Sequence, residues 1–144
     1  MMNLHLQHGF TFTETLFSLA LIGLLSGIAL PAYQVQWQQS RRQDAQNSLL
    51  QLQFAQARWR GQNAQYTNQA SDLGWAGDLS LLGHYQLRLS EATEEGFVAT
   101  ATAVGNQSRD TRCAAMALRL TGGNTLVRTS GASLQDDPGQ CWKW

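Results

Sequence analysis

From Thr15 to Ser40 the chain carries no charged side chain, and Leu16–Tyr33 reads LFSLALIGLLSGIALPAY, an apolar run long enough to cross most of a hydrocarbon core as a helix. After Pro31 the residues turn polar without losing helical character. The stretch QVQWQQSRRQDAQNSLLQLQFAQARWRGQ has no proline, one late glycine and many strong helix formers. Ala45, Leu49, Leu52, Ala55 and Trp59 recur at three- and four-residue intervals and predict one apolar stripe. Gly61 followed by Asn63 predicts the stop. A single helix over Phe10 to about Arg60 is some 75 Å long at ~1.5 Å per residue. Its first half reads as an anchor and its second half as the support of a globular head. Pro31 removes a backbone hydrogen bond, which predicts a kink or an opened turn. Gly23 and Gly27 form a G-x-x-x-G pair that fits either close helix packing or simple loosening of the helix.

The pattern then changes period. Residues 62–83 are rich in turn formers and predict a connecting loop. HYQLRLS and FVATATAV alternate apolar and polar positions and predict two strands, with Glu94, Glu95 and Gly96 between them as a turn. CAAMALRLT and TLVRT predict two more, joined through Gly122, Gly123 and Asn124. Four short successive strands imply an antiparallel meander packed on the second half of the helix, so the expected class is α+β.

At 144 residues a single domain is the expectation. Ten basic and ten acidic side chains cancel, and charged residues make up only 14%, so no global field draws the chain to nucleic acid or anionic lipid. Cys113 and Cys141 lack metal-ligand or C-x-x-C spacing. They form one disulfide if the head is exported, worth roughly 3–4 kcal/mol on the chain-entropy account, or else two buried thiols. A secretory signal peptide needs a basic start and a shorter apolar stretch, whereas MMNLHLQH has neither lysine nor arginine and the run continues into more helix.

Glu14 stands at the head of the apolar run, where a carboxylate is expensive, up to about 2.5–3.5 kcal/mol at a helix centre in lipid. The nearest basic side chains, Arg41 and Arg42, lie roughly 40 Å further along a helix, so the positive partner must come from outside the segment.

These residues resemble a known family. GFTFTETLFSLALIGLLSGIALPAY is similar to the class III leader and N-terminal helix of type IV prepilins: a glycine, an aromatic residue, a glutamate four residues after it, an apolar run and a late proline. The resemblance implies that a prepilin peptidase cuts between Gly9 and Phe10 and methylates Phe10. It also implies that Glu14 pairs with the new amine of its own chain or of a neighbour, fixing axial register during assembly. The implied organisation is a leader over 1–9, a membrane and filament-core helix over 10–36, and a head over 37–144. The head comprises helix 37–61, loop 62–83, and sheet and tail 84–144. The loop with Tyr66-Thr67 and Asp72-Leu73-Gly74, the sheet, and a disulfide-bounded C-terminal loop ending in Cys141-Trp142 look most like a subgroup of minor pilins.

The resemblance implies no enzyme, no cofactor and no metal. Its implied partners are the peptidase, other pilin subunits, the inner-membrane assembly machinery, and the bilayer before assembly. The place implied is a bacterial inner membrane with the head in the periplasm, then an extracellular pilus. The alternatives are a type II secretion pseudopilin, a DNA-binding competence pilin, and, from another class, a plain membrane-anchored binding module with an uncleaved signal anchor.

His5, His8 and His84 offer no triad, the acids Glu94, Glu95, Asp136 and Asp137 fall in turn-like segments, and no phosphate-binding glycine loop follows a strand. Arg109, Arg112, Arg119, Arg128 and Lys143 gather late in the chain and are the candidate DNA contacts. Scattered charge neutralised by interleaved Asp110, Asp136 and Asp137 is the favoured account over a DNA stripe. Trp59 and Trp142 are expected in the core, and Trp37 at a membrane interface.

Overall fold

The computed structural model describes residues 10–132, 134 and 138–142, the side chains of 30–32 and 138 excepted. The expected leader with Gly9, and also Asp136, Asp137 and Lys143, lie outside the described residues. Two compact units divide after Trp37. One helix, α1, is assigned from Phe12 to Arg60 and contributes to both.

In the N-terminal unit α1 is capped by its own sequence. Thr11 precedes the first helical turn, and Thr11-Phe12-Thr13-Glu14 forms a capping box in which hydroxyl and carboxylate satisfy each other's backbone amides. The apolar side chains that follow, among them Phe17, Leu19, Ile22, Leu25 and Ile28, are exposed. This stretch is long and apolar enough to cross a membrane and buries none of that window within the chain. The helical assignment runs through Pro31, whose side chain lies outside the described residues.

In the second unit the remainder of α1 packs on a four-stranded antiparallel meander of order β1-β2-β3-β4. The strands are β1 (Tyr85–Ser90), β2 (Phe97–Ala103), β3 (Ala115–Thr121) and β4 (Thr125–Ser130). Ala45, Leu49 and Leu52 are fully buried against Tyr85, Phe97, Met116 and Leu118, as the predicted stripe requires. Ala55 and Trp59 are only half-buried, and Trp59 falls outside the core cluster. By that point α1 has reached its end, where Arg60 and Asn63 close the last turn: Asn63 Nδ2 donates to Trp59 O at 2.9 Å, and Arg60 Nη1 to Asn63 O at 2.9 Å.

Alternation sorts the sheet into two faces. Register places Leu118 beside Arg128 and Arg119 beside Val127, so Arg128 shares the core face and Arg119 the outer one. Gly96, just before β2, lies so close to β3 that an added Cβ would stand 2.1 Å from Leu120 O. Loop 62–83 contains a short 3₁₀ turn at Ala70–Leu73, and two more 3₁₀ turns, Gly105–Arg109 and Thr111–Cys113, join β2 to β3.

Candidate functional site: the helix start and the basic turns of the head

Glu14 is not without a partner of its own. Its Oε2 accepts from Thr11 N at 2.9 Å and from Thr11 Oγ1 at 2.8 Å. The Thr-x-x-Glu spacing announces this box in the sequence, and the expectation of a positive partner from outside the segment is not touched by it. What the box supplies is hydrogen bonds, not a positive charge. It draws the carboxylate back to residue 11, one peptide unit, about 3.8 Å in Cα spacing, from Phe10. Phe10 itself is 86% exposed.

The second cluster sits where α1 meets the β2–β3 connection. Arg42 grips Asp110 with both ends of its guanidinium, Nε to Oδ2 at 2.7 Å and Nη2 to Oδ1 at 2.9 Å. The pair is nearly dry, with Arg42 13% and Asp110 3% exposed. Gln107 Nε2 lies 3.2 Å from Asp110 Oδ2, 3.1 Å from Tyr85 Oη and 3.2 Å from Gln38 O, so two amide protons serve three acceptors. Burial pushes the Tyr85 phenol up to about 12, with Gln107's bond to its oxygen working the other way. The same connection is stapled to the tail by the Cys113–Cys141 disulfide, Cα atoms 5.7 Å apart. Gln46 Nε2 donates to Cys141 O at 2.7 Å, fixing that tail to the helix.

This arrangement changes the charge count around Arg109 and Arg112. Asp110 stands between them in the chain but turns inward, and its charge is answered by Arg42. It does not neutralise its neighbours, so the expectation drawn from interleaving fails at Asp110, while Asp136 and Asp137 lie outside the described residues. Arg109 and Arg112 are exposed, and among the described residues neither makes an ion pair. Two positive charges therefore face solvent from consecutive turns.

The other arginines go elsewhere. Arg119 is held by Glu91 on the outer sheet face, Nη1 to Oε2 at 2.6 Å. Arg128 lies on the core face with its guanidinium carbon 5.5 Å from the Trp142 ring centre. Trp142 is buried, as expected, and donates from Nε1 to Thr129 O at 3.0 Å. The five proposed DNA contacts thus do not form one stripe among the described residues, since Arg119 and Arg128 lie on opposite faces and Lys143 is outside them.

Sequence reading missed Arg42, Asp44, Gln46, Ser48 and Gln56 as partners of the loops. Polar residues on a helix ordinarily face water, but Asp44, Gln46, Ser48 and Gln56 are buried here. Gln56 clasps Thr67, donating to its carbonyl at 2.6 Å and accepting from its amide at 3.1 Å.

A lipid-length apolar helix with a capped acidic start, leading into a helix-on-meander head with a disulfide-closed tail, defines a pilin-type filament subunit. The family described as type IV minor pilin ComP, DNA uptake sequence receptor, matches residues 31–117, and the prokaryotic N-terminal methylation motif matches residues 4–30. The chain belongs to this family of type IV minor pilins. No curated protein matches it. Both matches point to a structural subunit rather than an enzyme, and the motif with the apolar helix marks a membrane-anchored precursor.

Proposed function

We propose that the chain is a minor subunit of a type IV pilus whose head binds DNA for uptake. The leader is cut after Gly9, Phe10 is methylated, and the mature chain waits in the inner membrane with its head in the periplasm until it joins the filament. Prepilin peptidase, neighbouring pilins and the assembly machinery are its partners. Glu14, already drawn toward the chain start by Thr11, meets the Phe10 amine of its own chain or a neighbour. One wrong axial step leaves that carboxylate uncompensated in an apolar core.

The observation that carries the DNA reading is the internal pairing of Asp110 with Arg42, which leaves Arg109 and Arg112 as net positive charge on a fixed surface. The family's description as a DNA uptake sequence receptor then favours DNA contact over scattered charge. Phosphate contact by arginine is salt-dependent, with a slope of about −0.9 per phosphate neutralised on duplex DNA. The test is titration of labelled duplex DNA with the full chain in detergent micelles at graded salt. The Arg109→Ala/Arg112→Ala chain should bind more weakly, with its salt slope shallower by about 2. Equal affinity and equal slope in both chains would refute the assignment.

A further inference from the structure

The connection from β2 to β3 repeats every three residues. Gln107 N donates to Val104 O at 3.1 Å, Asp110 N to Gln107 O at 2.9 Å and Cys113 N to Asp110 O at 3.2 Å. Side chains three apart eclipse one another in such turns, so the segment sorts into columns. Gln107, Asp110 and Cys113 form the inner column, and all three are buried. Asn106, Arg109 and Arg112 form an outer column, and all three are exposed. Asp110 parts the two 3₁₀ turns with a ψ of 74°, yet the period of burial carries through it. The two free arginines therefore share their column with an amide.

That amide has no task inside the chain, since among the described residues the Asn106 side chain makes no hydrogen bond. Ser108, two residues on, turns its hydroxyl back to Gly105 O at 2.7 Å. Gly105 itself has a φ of 56°, in the region that favours glycine, and a Cβ added there would meet nothing within 4 Å. The backbone beside Asn106 is thus bare on its open side, where another surface can come close. Close approach is what so short a side chain needs.

An asparagine amide offers one acceptor oxygen and two donor hydrogens. Adenine presents the complementary pair in the major groove, an N6 amino donor beside the N7 acceptor, whereas guanine presents two acceptors there and suits arginine. At a rise of ~2 Å per residue, Asn106 and Arg109 stand ~6 Å apart along their turn, within a major groove about 12 Å wide. Arginine can hold the phosphate rim of the groove while the amide lies among the base edges.

We propose that Asn106 reads one adenine in duplex DNA through paired hydrogen bonds to N6 and N7, with Arg109 and Arg112 on adjoining phosphates. The proposal rests on the DNA reading of these turns and adds sequence discrimination to it. Phosphate contacts fix register but carry no sequence information, so arginines on phosphates alone would bind all duplexes alike.

The test uses the full chain, disulfide intact, in detergent micelles. Duplexes are selected by wild-type chain from a pool with a randomised stretch, and affinities are then measured for the enriched duplex, its single-base variants and a scrambled duplex. The wild-type chain should enrich a sequence with an adenine whose replacement weakens binding by roughly 5- to 150-fold. Asn106→Ala should be indifferent to that base, yet bind the scrambled duplex as wild type does and with the same salt slope, because no phosphate contact is lost. Asn106→Gln, with the same amide on a longer stem, should restore part of the preference. Undiminished discrimination by Asn106→Ala would overturn the proposal. So would uniform weakening on every duplex with a shallower salt slope, which would make Asn106 a phosphate contact. Wild-type chain that binds the pool but enriches no sequence would overturn it and leave the phosphate reading intact. No binding to the pool even at low salt would overturn both.

Discussion

Replacing Arg42 by methionine keeps most of the side-chain volume and removes the charge that answers Asp110. The carboxylate is then left 3% exposed with Gln107 Nε2 at 3.2 Å as its one remaining side-chain contact among the described residues. Breaking a buried pair from one side costs about 3–5 kcal/mol. The 13% exposure of Arg42 lets some water reach the carboxylate, so the lower end, about 3 kcal/mol, applies here. For a head of this size each kcal/mol shifts the melting temperature by about 4 °C, giving a fall of roughly 12 °C. Thermal unfolding of the full chain in micelles, followed by tryptophan fluorescence, reads it directly. Asp110→Asn should cost less, because the freed guanidinium still reaches Gln140 O and water. The double variant should recover on the order of 1–3 kcal/mol of the summed loss, since its two sites form one interaction. A fall of under about 4 °C for Arg42→Met, or strict additivity in the double variant, would refute the reasoning. Arg42→Met should also weaken DNA binding below the unfolding range, by uncovering a negative charge between Arg109 and Arg112.

Glu14→Gln or Glu14→Val should block incorporation into pili while leaving membrane insertion intact, as read by fractionation and filament shearing; wild-type incorporation of either contradicts the pairing. Thr11→Val should lower incorporation less, because it loosens the carboxylate without removing it. Cys113→Ser with Cys141→Ser should lower stability by roughly 3–4 kcal/mol, the loop-closure value for residues 28 apart. It should also weaken DNA binding by freeing the turns that carry Arg109 and Arg112; unchanged stability under reducing and oxidising conditions would contradict it. Tyr85 is neutral when buried and its ionisation is pushed up to about 12, above the ordinary value near 10. Its contribution is therefore complete below about pH 10 and lost as pH rises through about 12, an effect of roughly 2–3 kcal/mol. In an alkaline absorbance titration one tyrosine's phenolate signal should appear only with unfolding, and its early appearance would contradict the burial.

Much of the architecture could be read from period alone. The three-and-four spacing of Ala45, Leu49 and Leu52 and the two-residue alternation in β1 to β4 leave little choice of face, and Gly61 and Gly122-Gly123 mark the breaks. Such signals are local, and so is the capping box at Thr11-x-x-Glu14, which spacing announces even though the charge argument drew attention away from it. The candidate DNA site was legible only in part. Whether Asp110 neutralises Arg109 and Arg112 depends on Arg42, which lies 68 residues away, and no pattern in either segment announces that contact. The same holds for Asp44 and the loop at Ser80–His84. Long-range polar contacts follow from how the chain closes on itself, whereas apolar periodicity follows from each element's own geometry.

A carboxylate held close to the chain start is of use only if a free amine is made there, and that requires removal of the leader. Mass analysis of the N-terminal peptide from sheared filaments tests this most directly. The account predicts a peptide beginning at Phe10 and heavier by one methyl group. Filaments whose subunits retain Met1 to Gly9 would contradict it.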